Sequence, residues 1–576
     1  MSSSATDSSF KKSTKPSVRY QPLVDRRWFI RALEILPGVT TWLLLVLPVV
    51  LSIFAPMVVV YGIIAFYLFW LLRAFRYSSY LILGYRTMGK VERTDWSERV
   101  DWLRHPDEYL AKAERRMRDL LRTHPSAASR WQSFGSNSQY RQRYLELHNQ
   151  IQTLRDIQGR QTATLDPDSI YHVVIMAVYN EARDIIEPSV KALFDVDYPA
   201  KKIMLAIAYE ERGPEETKQV ARELADRYAD RFGLCVAIEH PDGIAGEVIG
   251  KGGNITNAGR QLAEQLQGQG LDPERVVVTT FDSDHRASRQ YFSVLTYLYC
   301  IDPNRSRKSF QPVPMFYNNI WDAPAPMRII ATNNSFWHLI ETMRPHRLRN
   351  FSAHAQGLRA LLDTDFWSVS TPVEDGHQYW RSWLAFDGDH QVVPMYTPVF
   401  QDAVLAETYP KTFVAQYKQL RRWAYGISDF PYVVRHCLIN SRIGFWNKSV
   451  HVFRLLEGHI AWSTTALIVT FGAWLPLFLN ERFSRQELAH QLPVIASNLQ
   501  NIALVGLIIM VAISMISLPP RPARYRSSRR LFLLLQWVLV PVVSIAFSAT
   551  AAIDAQTRLM LGKYLAFQVT PKSRRK

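Results

Sequence analysis

Cysteine is scarce in this chain, with three residues in 576. Cys235, Cys300 and Cys437 lie far apart and show no metal-ligand spacing. That excludes a disulfide framework and a cysteine-built zinc site, and it fits reduced core residues in a cytosolic compartment. Internal repeats are missing, and so is the pattern of a cleaved signal peptide. The first long apolar stretch starts too late, runs too long and lacks a small-residue cleavage site. No nucleic-acid recognition module accompanies the formal charge of +17. The charge is read instead as suited to anionic lipid headgroups and a diphosphate ligand.

Charge itself is absent from long segments. Ile35 to Leu72 is uncharged over 38 positions, too long for one span of about 20 residues and suited to two. Pro56, after Ala55, offers the turn. Arg26, Arg27 and Arg31 before it, and Arg73, Arg76 and Arg86 after it, put both ends on the cytoplasmic side. Three further uncharged runs follow near the C-terminus: Ile460–Asn480, Leu492–Pro520 and Leu531–Ile553. The loop with Arg521, Arg524, Arg526, Arg529 and Arg530 is expected to be cytoplasmic. Two spans before the middle of the chain and three after it would leave the basic tail (Lys572, Arg574, Arg575, Lys576) outside. Leu531–Ile553, broken by Pro541, is therefore the expected re-entrant or interfacial element.

Residues 1–34 read as a basic, disordered N-terminus, 35–73 as a transmembrane hairpin, and 74–168 as a helical interfacial linker. The linker would rest on the membrane surface or on the next domain. From Tyr171 the pattern changes. Val173–Val178, Ile203–Ala208, Leu234–Ile238 and Val276–Thr280 read as buried strands. Helical stretches such as Pro214–Phe232 and Asn254–Gln267 alternate with them. This predicts an α/β domain over 169–432, with its chemistry beyond the carboxyl ends of the strands. Interfacial helices are expected over 433–459, a transmembrane region over 460–555 and a cytoplasmic tail over 556–576.

Asp282-Ser283-Asp284-His285 directly follows a buried strand. Two carboxylates there are costly unless something compensates their charge, and a magnesium or manganese ion bridging to phosphate oxygens would do so. Tyr179, Asn180 and Glu181 end the first strand and are placed to contact a base and ribose. Gly250-Lys251-Gly252-Gly253-Asn254 opens a helix, with a lysine suited to phosphate, although it does not match the Walker pattern. Glu374-Asp375 supplies a second acidic pair, fit for a general base. Gln419-Leu420-Arg421-Arg422-Trp423 sets guanidiniums for a departing diphosphate beside a flat indole for a sugar ring.

In this order the motifs resemble the family-2 glycosyltransferases, in particular the membrane-embedded branch with cellulose, hyaluronan and chitin synthases. Asp282-Ser283-Asp284 resembles that family's Asp-x-Asp, Glu374-Asp375 its Thr-Glu-Asp, and Gln419, Arg422 and Trp423 its Gln-x-x-Arg-Trp. Phe567-Gln568-Val569-Thr570-Pro571-Lys572 resembles the gating loop of the cellulose synthase branch. The resemblance spans about residues 171–430 and implies a GT-A-like fold between transmembrane helices. It further implies a cytoplasmic catalytic domain in a bacterial inner or plasma membrane. Three departures stand out. Val373 replaces the usual threonine, Glu210 or Glu211 stands where an aspartate is usual, and no cyclic-nucleotide regulatory domain follows.

By that resemblance, Asp282 and Asp284 would bind Mg2+ or Mn2+. Tyr179, Asn180, Glu181, Glu210, Lys251, Asp282, Gln419 and Arg422 would hold a nucleotide sugar, expected to be a UDP-hexose. Asp375, with Glu374, would take the acceptor's proton, giving inversion, and Trp423 would support the acceptor. Phe567, Val569, Thr570 and Lys572 would close over the donor. Three products of this reading compete: a polysaccharide synthase, a glycolipid synthase, and an inactive membrane scaffold. Trp321, Asn333, Asn334, Trp337 and His338 could line a carbohydrate groove or simply pack in the core.

Overall fold

The computed structural model describes residues 24, 26–128, 138–160, 163–526, 528–566 and 570–572. The uncharged run folds as a helical hairpin. Helix α1 (Arg27–Phe54) and helix α2 (Pro56–Arg93) are separated by Ala55 alone. Pro56 takes the first helical position, where a missing N–H leaves no bond unmade. Helix α2 runs past the expected boundary at residue 73, because its second half buries Leu81 and Met88 in the same cluster as Val313 and Leu339 of the α/β domain. Of the expected disordered N-terminus, residues 1–23 and 25 lie outside the described residues, and Arg27 onward is helical.

The linker forms helices Trp96–Arg104, Pro106–Thr123 and Ser138–Gly159. They rest on the α/β domain: Trp96 meets Tyr297 edge-on at 5.4 Å. Leu154, fully buried, joins the cluster that holds Val174 and Met176.

The α/β domain has an eight-stranded sheet in the order β3-β2-β1-β4-β7-β6-β8-β5. The four strands expected from sequence are β1 (Tyr171–Val178), β2 (Ile203–Glu210), β3 (Leu234–His240) and β4 (Val276–Asp282). They are parallel. Both faces of β1 are covered, Val173 and Ile175 on one side and Val174 and Met176 on the other, as a buried parallel strand requires. The chain runs from β1 outward to β2 and β3, then returns to the other side of β1 as β4. That reversal opens a crevice beyond the carboxyl ends of β1 and β4. The remaining strands are β5 (Arg286–Ala287), β6 (Lys308–Met315), β7 (Ala355–Gly357) and β8 (Gln391–Phe400), and β7 is antiparallel to both β4 and β6. The expected α/β class holds, and the sheet is mixed.

Among the described residues, five helical segments are long and apolar enough to cross a membrane: Arg27–Phe54, Pro56–Arg93, Phe445–Leu479, Ala489–Ser517 and Arg529–Met560. The third begins at Phe445, so helix Phe445–Phe471 absorbs much of the segment expected to be interfacial. Asn480 Nδ2 donates to the Ile53 carbonyl at 2.9 Å, placing the end of the third segment beside the end of α1. Trp321 Nε1 donates to the Pro519 carbonyl at 3.1 Å and so ties the end of the fourth to the α/β domain. The last segment is broken by a 3-10 turn at Gln536–Leu539, by Pro541, and by a π-helical stretch at Ser544–Ala549. Arg529 Nη2 donates to the Trp321 carbonyl at 2.8 Å, and Arg31 Nη2 to the Met560 carbonyl at 2.9 Å. Both ends of this segment therefore lie on the side where α1 begins and the α/β domain sits.

Docking of α2 requires a close approach at Gly84, where an added Cβ would meet Leu339 Cγ at 2.9 Å and the Leu339 carbonyl at 3.1 Å. At Gly62 on the same helix nothing lies within 4 Å. Gly84→Ala is expected to lower stability by about 1–3 kcal/mol, while Gly62→Ala leaves it unchanged or raises it by about 0.5–1 kcal/mol. Thermal unfolding of the two variants in the same detergent checks this.

Candidate active site

Strand β4 ends at Asp282, in register with Ala177 of β1, at the mouth of the crevice. Asp282 keeps 31% of its side chain exposed toward that space. Lys251, the first residue of helix Lys251–Gly268, reaches its carboxylate, Nζ to Oδ1 at 2.6 Å. Burial alone would raise the Asp282 pKa. Lys251, His285 and Lys572 outweigh it and hold the group well below the usual carboxylate range. Lys251 answers in kind: burial pulls its ammonium down, and Asp282, Glu374 and Asp375 bring it above its ordinary value.

Asp284 is buried. Its Oδ2 accepts from the Asp402 backbone N–H at 2.7 Å, and its Oδ1 from Lys572 Nζ at 2.7 Å. The same ammonium donates to Ser283 Oγ at 2.9 Å and stands 3.6 Å from Glu181 Oε1. Burial would raise the Asp284 pKa, and Lys572 brings it below normal. The tail is held there by its backbone, Lys572 bridging to Leu405, and by Gln419 Nε2 donating to Thr570 Oγ1 at 3.4 Å. Thr570 and Lys572 thus lie in the crevice, whereas Phe567 and Val569 fall outside the described residues.

The second acidic pair opens helix Glu374–Ala385. Glu374 is buried, and its Oε2 has no hydrogen-bond partner among the described residues. Asp375, half-buried, accepts from the Gly376 N–H at 2.7 Å. Burial pushes both carboxyls up, and Asp375 pushes Glu374 further, against the pull of Lys251 and Arg422. Asp375 also feels the charge of Asp282, so the two acidic motifs share one crevice. Among the described residues, five carboxyls (Glu181, Asp282, Asp284, Glu374, Asp375) stand there against Lys251, Lys572 and Arg422. That excess of negative charge suits a divalent cation.

Asp282, Asp284 and His285 each offer an atom within 4.8 Å of the others. His285 is engaged on both ring nitrogens, Nδ1 accepting from the Asp282 N–H at 3.0 Å and Nε2 facing Gln401 Oε1 at 2.7 Å. The carboxylates of Asp282 and Asp284 are thus the ligands this site presents. Hard oxygen donors of this kind fit magnesium or manganese. A cation taking Asp284 Oδ1 would exchange with the Lys572 ammonium.

The other candidates lie around this centre. The Glu181 carboxylate accepts from the backbone N–H groups of Tyr179 and Asn180 at 2.8 and 3.2 Å, which locks the turn after β1. Glu210 ends β2 and is paired with Arg212, whose guanidinium covers the Tyr179 ring at 4.9 Å. The glycines after Lys251 serve packing: a Cβ on Gly252 would stand 2.3 Å from the Ser368 carbonyl, and one on Gly253 2.5 Å from Glu247 Oε2. Helix Tyr409–Ala424 carries Gln419, Arg422 and Trp423. Trp423 is half-buried, 6.1 Å from the Phe316 ring. Arg421 of the same helix is bound by Asp554 at 3.0 Å, near the end of the last apolar segment. Trp321 is buried, stacked 6.4 Å from Tyr525, so it lines no groove. Trp337 and His338 cluster with Phe351 at 5.4 and 4.2 Å.

Three contributors escaped sequence reasoning. Gln401 and Asp402 follow β8 and touch the centre because β8 pairs with β5, directly after the Asp282–His285 motif, with Arg286 opposite Phe400. Asp429 binds His377 Nδ1 at 2.7 Å, two residues beyond Asp375, and fixes the helix that carries it. None has a local signal; His285 alone stands within a recognised motif.

No protein-family model matches the chain, and no curated protein matches it. Among solved structures it is similar to the mannosyltransferase PcManGT from Pyrobaculum calidifontis, determined in complex with GDP-Man and Mn2+. That match has 15% identity over 68% of this chain and 88% of that one, with a TM-score of 0.37. It is also similar to S. aureus TarS, at 12% identity over 59% of this chain and 55% of that one, TM-score 0.31. GalNAc-T7 with UDP, GalNAc and Mn2+ follows at 12%, 52% and 57%, TM-score 0.28. Likenesses this distant carry no functional argument, and that argument rests on this chain's own residues.

A carboxyl whose pKa is raised by folding binds more protons folded than unfolded. Stability then falls as pH rises from the ordinary carboxylate range through the raised value. Glu374→Gln removes this penalty. The variant is expected to melt higher than the parent at pH 8 and to converge on it near pH 5. Equal pH slopes in thermal unfolding would contradict the assignment.

Proposed function

We propose that this chain is a membrane-embedded, metal-dependent, inverting glycosyltransferase. It transfers a hexose from a nucleotide diphosphate sugar, a UDP-hexose, to a growing polysaccharide on the cytoplasmic face of a bacterial inner or plasma membrane. The observation that carries this reading is the convergence of Lys251, Asp282, Asp284, Asp375 and Lys572 at the carboxyl end of β4. Such a site holds phosphate with cations and offers a carboxylate to a hydroxyl.

Asp282 and Asp284 would hold Mg2+ or Mn2+, which supplies compensation for charge developing on a departing diphosphate. Lys251 and Arg422 orient the diphosphate oxygens. Tyr179, Asn180 and Glu181 border the nucleoside, with Glu210 positioning Arg212 beside it. Asp375, the acidic residue of its pair that faces the crevice, accepts the proton of the acceptor hydroxyl as it attacks. A base opposite the leaving group inverts the anomeric carbon. The raised pKa of Asp375 makes it a stronger base than a free carboxylate. Trp423 offers a face to the acceptor sugar, and Thr570 and Lys572 anchor the tail over the donor. With the last apolar segment re-entrant, four helices cross the bilayer and the tail stays on the catalytic side.

Four crossings also favour a second reading, a glycolipid synthase adding one or a few sugars, because they leave little room for a polymer channel. Sizing the product made from labelled donor separates the two. Asp375→Asn is expected to lower transfer by about 10²–10⁴-fold while calorimetric donor binding changes little; normal turnover would remove Asp375 as the base. Chelation should abolish turnover, Mg2+ or Mn2+ should restore it, and Asp284→Asn should raise the cation concentration required.

A further inference from the structure

Away from the crevice, a cavity of about 500 Å³ opens where the last apolar segment leaves the α/β domain. Two guanidiniums, Arg328 and Arg529, line it, and among the described residues no carboxylate does. Arg328 is 6% exposed; its Nε donates to Gln536 Oε1 at 2.8 Å and its Nη1 to the Ala323 carbonyl. Arg529 donates to the Trp321 carbonyl and lies over the Tyr525 ring at 4.2 Å, while its buried Nε has no acceptor among the described residues. The partners in these contacts are neutral. The nearby carboxylate of Asp322 is already taken by Arg524, at 2.7 and 2.8 Å, and by the Tyr525 hydroxyl. Two like charges held together without a counter-ion are costly, and burial with the neighbouring Arg529 lowers the Arg328 pKa to about 10.

The rest of the wall is apolar and faces outward. Phe532, Leu535 and Val538 are 65%, 55% and 79% exposed and lie on a segment with the composition of a membrane element. Arg529 is the first residue of that segment, which sets it at headgroup depth, and Arg526 and Arg530 stand exposed beside it. The cavity therefore has a cationic end at the interface and an apolar stripe running inward. We propose that it is a binding site for one membrane phospholipid with an anionic headgroup. The phosphate sits between Arg328 and Arg529, and an acyl chain lies along Phe532, Leu535 and Val538.

Tyr409, which also lines the cavity, is the first residue of the helix that ends at Gln419, Arg422 and Trp423. At 1.5 Å per residue the two ends are about 20 Å apart, so this site is separate from the crevice and does not depend on the reading of its chemistry.

The test uses the full chain, purified and reconstituted in nanodiscs of phosphatidylcholine alone or mixed with phosphatidylglycerol, then analysed by native mass spectrometry. One phosphatidylglycerol is expected to remain bound through delipidation. Arg529→Gln, which keeps a donor for the Trp321 carbonyl, should weaken retention at least tenfold. Phe532→Ala, which shortens the apolar wall without placing a charge in lipid, should weaken it as well. Equal retention of phosphatidylcholine, or full retention by both variants, would overturn the proposal. So would inorganic phosphate alone raising the melting temperature as much as phosphatidylglycerol, which would mark a free-anion site.

Discussion

The ion pair between Lys251 and Asp282 is the constraint on which the crevice depends. A carboxylate at the end of a buried strand is stable there only with a cation at hand, and the chain supplies one from the start of the helix after β3. That lysine must come close, and the glycines behind it allow the helix to press against the Ser368 carbonyl and the Cβ of Glu374. The same contact brings the second acidic pair to the first. Charge compensation at one point thus sets the spacing of residues more than a hundred positions apart in sequence.

Lys572 extends this arrangement to the far end of the chain. Its ammonium sits among Asp284, Ser283 and Glu181, and the strong rise in its pKa has its source in these carboxylates overcoming the effect of burial. The tail reaches them because the last apolar segment returns to the side from which it left. Had that segment run on in one direction, Lys572 would lie at the far end of the helices from the crevice.

Much of this was legible in the sequence where a signal is local. The four parallel strands are uninterrupted apolar runs, and the hairpin is an uncharged run with a proline at its centre. The order of acidic, glycine-rich and arginine-tryptophan motifs located the crevice. The second half of the sheet was not legible. β6 contains Pro312 and Pro314, and β8 contains Pro394 and Pro398, residues that argue against interior strands. The two strands pair with a shift in register between Gln311 and Val313, and Tyr396 turns through positive φ in that stretch. Gln401 and Asp402, which follow β8, were hidden for the same reason. Trp321, which sequence could assign to either a groove or the core, is fixed by Tyr525 and Pro519, contacts from about two hundred positions away.

Helix α2 carries a mechanical implication. Its 38 residues form one unbroken rod of about 57 Å, nearly twice the hydrocarbon thickness of about 30 Å. Its second half buries Leu81 and Met88 in the same cluster as Val313 of β6. The sheet is therefore joined to the apolar hairpin by one continuous helix with no break. A change in the angle between the sheet and the apolar hairpin would have to bend this helix.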